Sequence, residues 1–173
     1  MKTKLRTVCF ADIERFNVGT RNMDPKALVG FLQGFYECAG NVLLSHNGRL
    51  IKYIGDAVLA TFDDGREEIA VRAMWTLRES FRAYRESVDS KEAQVSGLRV
   101  GIATGEVFAG QIGHPDMLAY DVLGKPVVVA AALRRCGGIT IDGATYNAVK
   151  GHVLAEPSSN CGELRGYEVK GFQ

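Results

Sequence analysis

The chain has 173 residues, 46% of them hydrophobic, which suffices for one sizeable core and lies in the range of a single domain over 1–173. Lys and Arg number 21 against 20 Asp and Glu, so no net field draws in nucleic acid or an acidic membrane, and neither is an expected partner. Cys9, Cys38, Cys136 and Cys161 form no Cys-x-x-Cys pair, Cys9 and Cys38 lie in apolar stretches, and the apolar run after the basic start breaks at Asp12; a reducing cytoplasm and no direct membrane anchor are expected.

Leu5 to Ile13, rich in β-branched and aromatic residues, reads as a first strand. Asp24-Pro25 then opens a helix over Asp24 to His46, with Asp at the N-cap, Pro in the first turn and Leu28, Phe31, Leu32, Phe35, Val42 and Leu43 at helical spacing. Asn47-Gly48 ends it. Arg49 to Ile54 and Ala57 to Phe62 are β-rich runs joined by the two residues Gly55-Asp56, a hairpin signal. Gly65 to Val88 is a second amphipathic helix, followed by a polar connection over Asp89 to Ser96. Leu98 to Thr104 and Val107 to Ile112 read as a strand pair around Gly105-Glu106. The order β-α-β-β-α-β is the ferredoxin-like arrangement, an antiparallel sheet with helices on one face, giving an α+β fold. A C-terminal α/β extension follows: a helix over Val122 to Cys136 stopped by Gly137-Gly138, a short strand at Ile139 to Ile141, a short helix near Ala144 to Lys150 and a last strand at Tyr167 to Val169.

Two aspartates stand out, in Phe10-Ala11-Asp12-Ile13 and in Ile54-Gly55-Asp56-Ala57. Taken singly, each is most simply a turn residue. Taken together, one at a strand end and one at a hairpin tip, they suit a phosphate site with two metal ions, because magnesium is commonly held by one or two carboxylates plus substrate phosphates.

Five segments in order, FADI at 10–13, KYIGDAVLATF at 52–62, LRVGIATGEVFAGQIG at 98–113, YDVLGKPV at 120–127 and VKG at 169–171, resemble the catalytic domain of class III nucleotidyl cyclases, the adenylate and guanylate cyclase superfamily. The resemblance covers nearly the whole chain. It implies the βαββαβ core with a C-terminal extension, and conversion of a nucleoside triphosphate to a 3′,5′-cyclic nucleotide and pyrophosphate with two divalent cations, Mg²⁺ or Mn²⁺. Asp12 and Asp56 match the family's metal ligands, with the backbone of Ile13 beside them. The segment Ile13 to Asn17 matches the turn whose amides hold the β- and γ-phosphates, with Phe16 and Asn17 in it, and Lys170 matches a triphosphate lysine. Lys52 and Asp121 match the pair with which adenylate cyclases read adenine. Since cytosine also carries an exocyclic amine beside a ring acceptor, that pair admits a pyrimidine.

Two positions depart from the family pattern. Val128 stands where an Asn positions the ribose, and Ala132 where an Arg stabilises the transition state. Loss of one preorganised donor ordinarily costs roughly 10²–10³ in rate, so a substitute is required. Arg135, one helical turn beyond Ala132, is the candidate for this catalytic role, with Arg134 and Arg49 as alternatives. A cyclase domain so remodelled also resembles the Pycsar cyclases, which make cyclic UMP or cyclic CMP in antiphage defence for a separate effector protein. The reading leans to a pyrimidine cyclase, with an adenylate cyclase as the alternative and a degenerate regulatory domain as a third. The resemblance implies a homodimer whose active sites are shared between subunits.

Overall fold

The computed structural model describes residues 3–88 and 97–173, so the expected polar connection over 89–96 lies outside the described residues. Its centre is an eight-stranded sheet. The elements in order are β1 (Thr3–Glu14), a one-turn helix α1 (Phe16–Gly19), α2 (Pro25–Ser45), β2 (Arg49–Ile54), β3 (Ala57–Asp63), α3 (Glu67–Ser87), β4 (Gly97–His114), β5 (Met117–Leu123), α4 (Lys125–Leu133) running into a 3₁₀ turn at Arg134–Cys136, β6 (Ile139–Ile141), α5 (Gly143–Val149), β7 (Val153–Pro157) and β8 (Tyr167–Phe172). The strand order is β2-β3-β1-β4-β6-β8-β7, with β5 paired to β4 off that path. Its first four strands are the expected antiparallel core. β6 then joins β4 in parallel, which requires a crossover, and α4 supplies it.

The local chemistry of the first half acts as the sequence implies. Asp24 caps α2 by accepting from the amides of Lys26 and Ala27 at 2.9 and 3.1 Å, Pro25 occupies the first turn, and Asn47 takes a left-handed conformation (φ 52°) past the helix end. α2 is long and apolar enough, by length and composition, to cross a membrane, yet its Phe31, Phe35, Ala39, Val42 and Leu43 are buried in the core. There Phe35 meets Phe81 of α3 edge-to-face at 5.3 Å. Burial of a large apolar side chain stabilises by about 1.5–3 kcal/mol, so this face of the sheet, under α2 and α3, carries the larger core.

Four expectations are corrected. Helices do not lie on one face only: α4 covers the opposite face, over a smaller core of Val8, Leu59, Ala103, Val107, Val122 and Ala130. There is no turn at Gly105-Glu106, because β4 runs unbroken through it, pairing with β1 from Glu14↔Gly97 to Thr3↔Phe108 and then with β5 from Phe108↔Leu123 to His114↔Met117. Gly105 serves packing instead, since a Cβ there would lie 3.0 Å from Pro126 of α4. The helix expected over Val122 to Cys136 is shorter, because Val122 and Leu123 belong to β5 and Pro126 lies at the start of α4. Finally, Cys136 and Cys161 form a disulfide, leaving Cys9 and Cys38 free, so the reasoning from uniformly reduced cysteines does not hold for this pair. β5 and β7 are additional strands, and the last strand extends to Phe172.

Candidate active site

Side chains alternate along β1, so Val8, Phe10 and Asp12 face α4 while Cys9, Ala11 and Ile13 enter the larger core. Asp12 is only 3% exposed. A carboxylate so buried requires paired charge, and two guanidinium groups provide it. Arg99, directly across from Asp12 in the β1–β4 register, donates from Nε to Oδ1 at 3.2 Å and from Nη2 to Oδ2 at 2.9 Å, a bidentate fork. Arg134, in the 3₁₀ turn after α4, donates from Nη1 to Oδ2. Its guanidinium lies 4.8 Å over the Phe10 ring, in cation–π contact. Gly101 permits this approach: a Cβ there would strike the Ala130 carbonyl and come within 2.6 Å of the Arg134 amide.

Asp56 occupies the hairpin tip between β2 and β3, after Gly55 in a left-handed conformation (φ 59°). The Ile13 amide donates to the Asp56 carbonyl at 3.0 Å, tying the tip to the end of β1. The Tyr36 hydroxyl donates to the Gly55 carbonyl at 2.5 Å, and the Tyr36 ring packs on Tyr53 at 4.1 Å. The Asp56 carboxyl is pushed above its ordinary value, chiefly by desolvation and further by the negative charge of Asp12, against a backbone hydrogen bond and the pull of Arg134 and Arg99. The hairpin tip that carries Asp56 thus lies beside the end of β1 that carries Asp12, with Asp12 opposite Ala57 in the register.

The donor set suits a hard cation. It offers two carboxylates with the Ile13 backbone beside them, and no cluster of three or more His, Cys, Asp or Glu exists among the described residues. That matches a divalent ion completed by phosphate and water rather than a protein cage. After Glu14 the chain reverses through Arg15, left-handed at φ 57°, into α1. The Val18 and Gly19 amides return to the Arg15 carbonyl at 2.9 Å each, while by helix geometry the amides of Phe16 and Asn17 have no acceptor within the turn and suit an anion. The Ile13 amide, engaged by Asp56, is not free for phosphate.

The remaining candidates lie apart from this centre. Lys52 of β2 donates to Asp121 of β5 at 2.6 Å, while Asp121 also accepts from the Val122 amide at 2.8 Å. No hydrogen bond or ion pair among the described residues joins that pair to Asp12 or Asp56. Lys170, exposed on β8, pairs with Glu168 at 2.7 Å, and β8 lies three strand spacings from β1, about 14 Å. Arg135 is exposed and lines a cleft of about 410 Å³ with Val127, Val128, Ala131 and Ala132 on the outer side of α4. It thus stands beside both departures from the family pattern, whereas Arg134 turns inward to Asp12. Arg49 lies 5.6 Å over the Tyr120 ring of β5. Arg99 is the residue that sequence reasoning left without a role. It sits inside a matched segment, but its meeting with Asp12 depends on strand register.

A sheet of this order, with two carboxylates at a strand end and a hairpin tip, defines a class III nucleotidyl cyclase catalytic domain. The family model of the adenylate and guanylate cyclase catalytic domain matches residues 2–173, and the chain belongs to that family. Among curated relatives, an adenylate cyclase of Anabaena cylindrica is 27% identical over 135 residues, 76% of this chain and 27% of the relative. Adenylate cyclase 1 of Rhizobium meliloti is 27% identical over 155 residues, 87% of this chain and 23% of the relative. The chain spans about a quarter of the length of these relatives. The same fold occurs in the adenylyl cyclase CyaB from P. aeruginosa (TM-score 0.83, 24% identity, 97% of this chain and 94% of that one). It occurs also in the guanylate cyclase domain of RhGC from Catenaria anguillulae in complex with GTP (TM-score 0.85, 21% identity, all of both chains).

Proposed function

We propose that this domain cyclises a nucleoside triphosphate in a site shared between two copies of the chain. The observation that carries the reading is the placement of buried Asp12 and half-exposed Asp56 side by side, at a strand end and a hairpin tip tied by the Ile13 amide, next to the phosphate-suited turn at Phe16 and Asn17. The ribose 3′-oxygen bonds to the α-phosphorus, the bond from that phosphorus to the bridging oxygen breaks, pyrophosphate leaves with the electron pair, and the hydroxyl proton passes to solvent. Bound at Asp12 and Asp56, two Mg²⁺ or Mn²⁺ ions would lower the pKa of the 3′-hydroxyl and screen the triphosphate.

The separation of Lys52–Asp121 from the aspartates supports a homodimer in which each site takes its aspartates from one subunit and its base-reading pair, Arg135 and Lys170 from the other. Exposed Ile112, Met117, Leu118 and Leu123 along the β4–β5 arm give such a dimer apolar surface to bury. Mixing Asp56→Ala chains with Lys52→Ala chains should then restore activity that neither has alone. Failure in stably mixed dimers would refute shared sites.

An ammonium donor beside a carboxylate acceptor suits a base with an exocyclic amine next to a ring acceptor, which cytosine and adenine both present. The exposed Val128 and the half-buried Ala132, in place of Asn and Arg, favour the pyrimidine, and with it a cyclic nucleotide signal of the antiphage kind read by a separate effector in the cytoplasm. The preformed Lys52–Asp121 contact and the adenylate cyclases among the relatives favour adenine as the second reading. Purified protein incubated with ATP, GTP, CTP or UTP and Mn²⁺, with products separated by chromatography, decides between them. No cyclic product from any nucleotide would leave a degenerate, regulatory domain.

A further inference from the structure

We propose that Arg134 is an internal counter-ion of the metal centre: its guanidinium neutralises Asp12 at rest and transfers to the substrate's triphosphate when a divalent cation takes Asp12. The proposal rests on the cyclase reading, but its first test does not need turnover. At rest Asp12 accepts from two guanidinium groups, those of Arg99 and Arg134, and its Oδ2 is shared between them. A cation entering at Asp12 competes with these guanidinium groups for the carboxylate, most directly at Oδ2, which already accepts from both.

The geometry identifies Arg134 as the one that moves. Arg99 is fixed on β4, in the middle of the sheet, and holds both carboxylate oxygens at once. Arg134 comes from a three-residue turn and touches Asp12 through Nη1 alone. Its Nε is buried without an acceptor among the described residues. A buried donor without an acceptor is costly, and an arriving phosphate oxygen would relieve that cost. The Phe10 ring beneath the guanidinium provides a face along which a planar cation can shift while staying in contact. Arg134 is thus a positioning residue for metal entry and a phosphate contact afterwards, within the same subunit as the aspartates.

The test is a titration of metal-free protein with Mn²⁺, without nucleotide, following free Mn²⁺ by electron paramagnetic resonance. Arg134→Gln should tighten Mn²⁺ binding about tenfold, the size of one charge-assisted hydrogen bond. Arg134→Lys, which keeps the charge and loses the fork, should tighten it about threefold and serves if the Gln variant does not fold. Arg135→Gln should leave Mn²⁺ affinity unchanged. Unchanged or weaker binding in the folded Arg134 variants, or equal tightening in Arg135→Gln, would overturn the proposal. With nucleotide, Arg134→Gln should raise KM, and mixing it with Asp56→Ala chains should leave KM raised, because both residues serve one site. Restoration of KM there would refute the same-subunit assignment. Should the cyclase reading itself fail, no variant makes product, while the Mn²⁺ titration still reports on Arg134.

Discussion

One face of the sheet lies under α2 and α3, where Phe31, Phe35, Met74, Leu77 and Phe81 seal it from water; the other carries α4, packed through small residues such as its own Ala130 and Ala103 of β4, and ends in charge at Asp12, Arg99 and Arg134. The first face is built for burial. The second brings a helix close to the sheet and stops where β1 ends, so carboxylates and guanidinium groups can collect at its rim. Stability and chemistry are therefore carried by opposite sides of the same strands, with successive residues of β1 serving each in turn.

Substitutions can separate the two. The largest expected effect is on the thin face: Asp56→Ala should cut cyclic nucleotide formation by about 10³ or more, measured by product chromatography, with the circular dichroism spectrum unchanged. Next is the thick face, where Phe35→Ala should cost about 3–5 kcal/mol and lower Tm by about 10 °C in thermal unfolding, with activity per folded molecule retained well below Tm. A loss of activity matching that of Asp56→Ala would erase the division between faces. Gly101→Ala should have a smaller effect that touches both sides, because forcing α4 and Arg134 off the sheet costs about 1–3 kcal/mol in thermal unfolding and disturbs Asp12 at once.

The smallest effect concerns Asp56 without metal. Its carboxyl titrates above the ordinary 3.8, so the folded chain holds that proton more tightly than the unfolded chain does. The penalty for ionising it is absent below the ordinary value, grows as pH rises through the window up to the raised one, and is constant above it. Asp56→Asn should therefore raise Tm of the metal-free protein at neutral pH by no more than about 2 °C, since the half-exposed group is screened, and the gain should vanish below about pH 4. A gain that persists at low pH would point to packing, not charge.

Much of the thick face was legible in the chain. Helical spacing gave α2 and α3, Asp24-Pro25 marked where α2 begins, and Gly55-Asp56 marked the β2–β3 hairpin. β5 was missed because Met117 to Leu123 is exposed along most of its length, so no apolar alternation marks it. β4 was split at Gly105 because a glycine that admits a neighbouring helix reads like one that turns a chain. In the site, Lys52 and Asp121 were paired by resemblance and do meet, while Arg135 does stand beside Val128 and Ala132.

By itself, the sequence determined which residue types carry the chemistry and which stretches bury themselves, because periodicity and turn chemistry act over a few residues. Only the tertiary structure decided which charges face one another. Arg99 and Arg134 lie 87 and 122 residues from Asp12, and their meeting depends on strand register and on how closely α4 can pass Gly101. Those are properties of packed strands and helices, set by contacts across the fold that no local pattern contains.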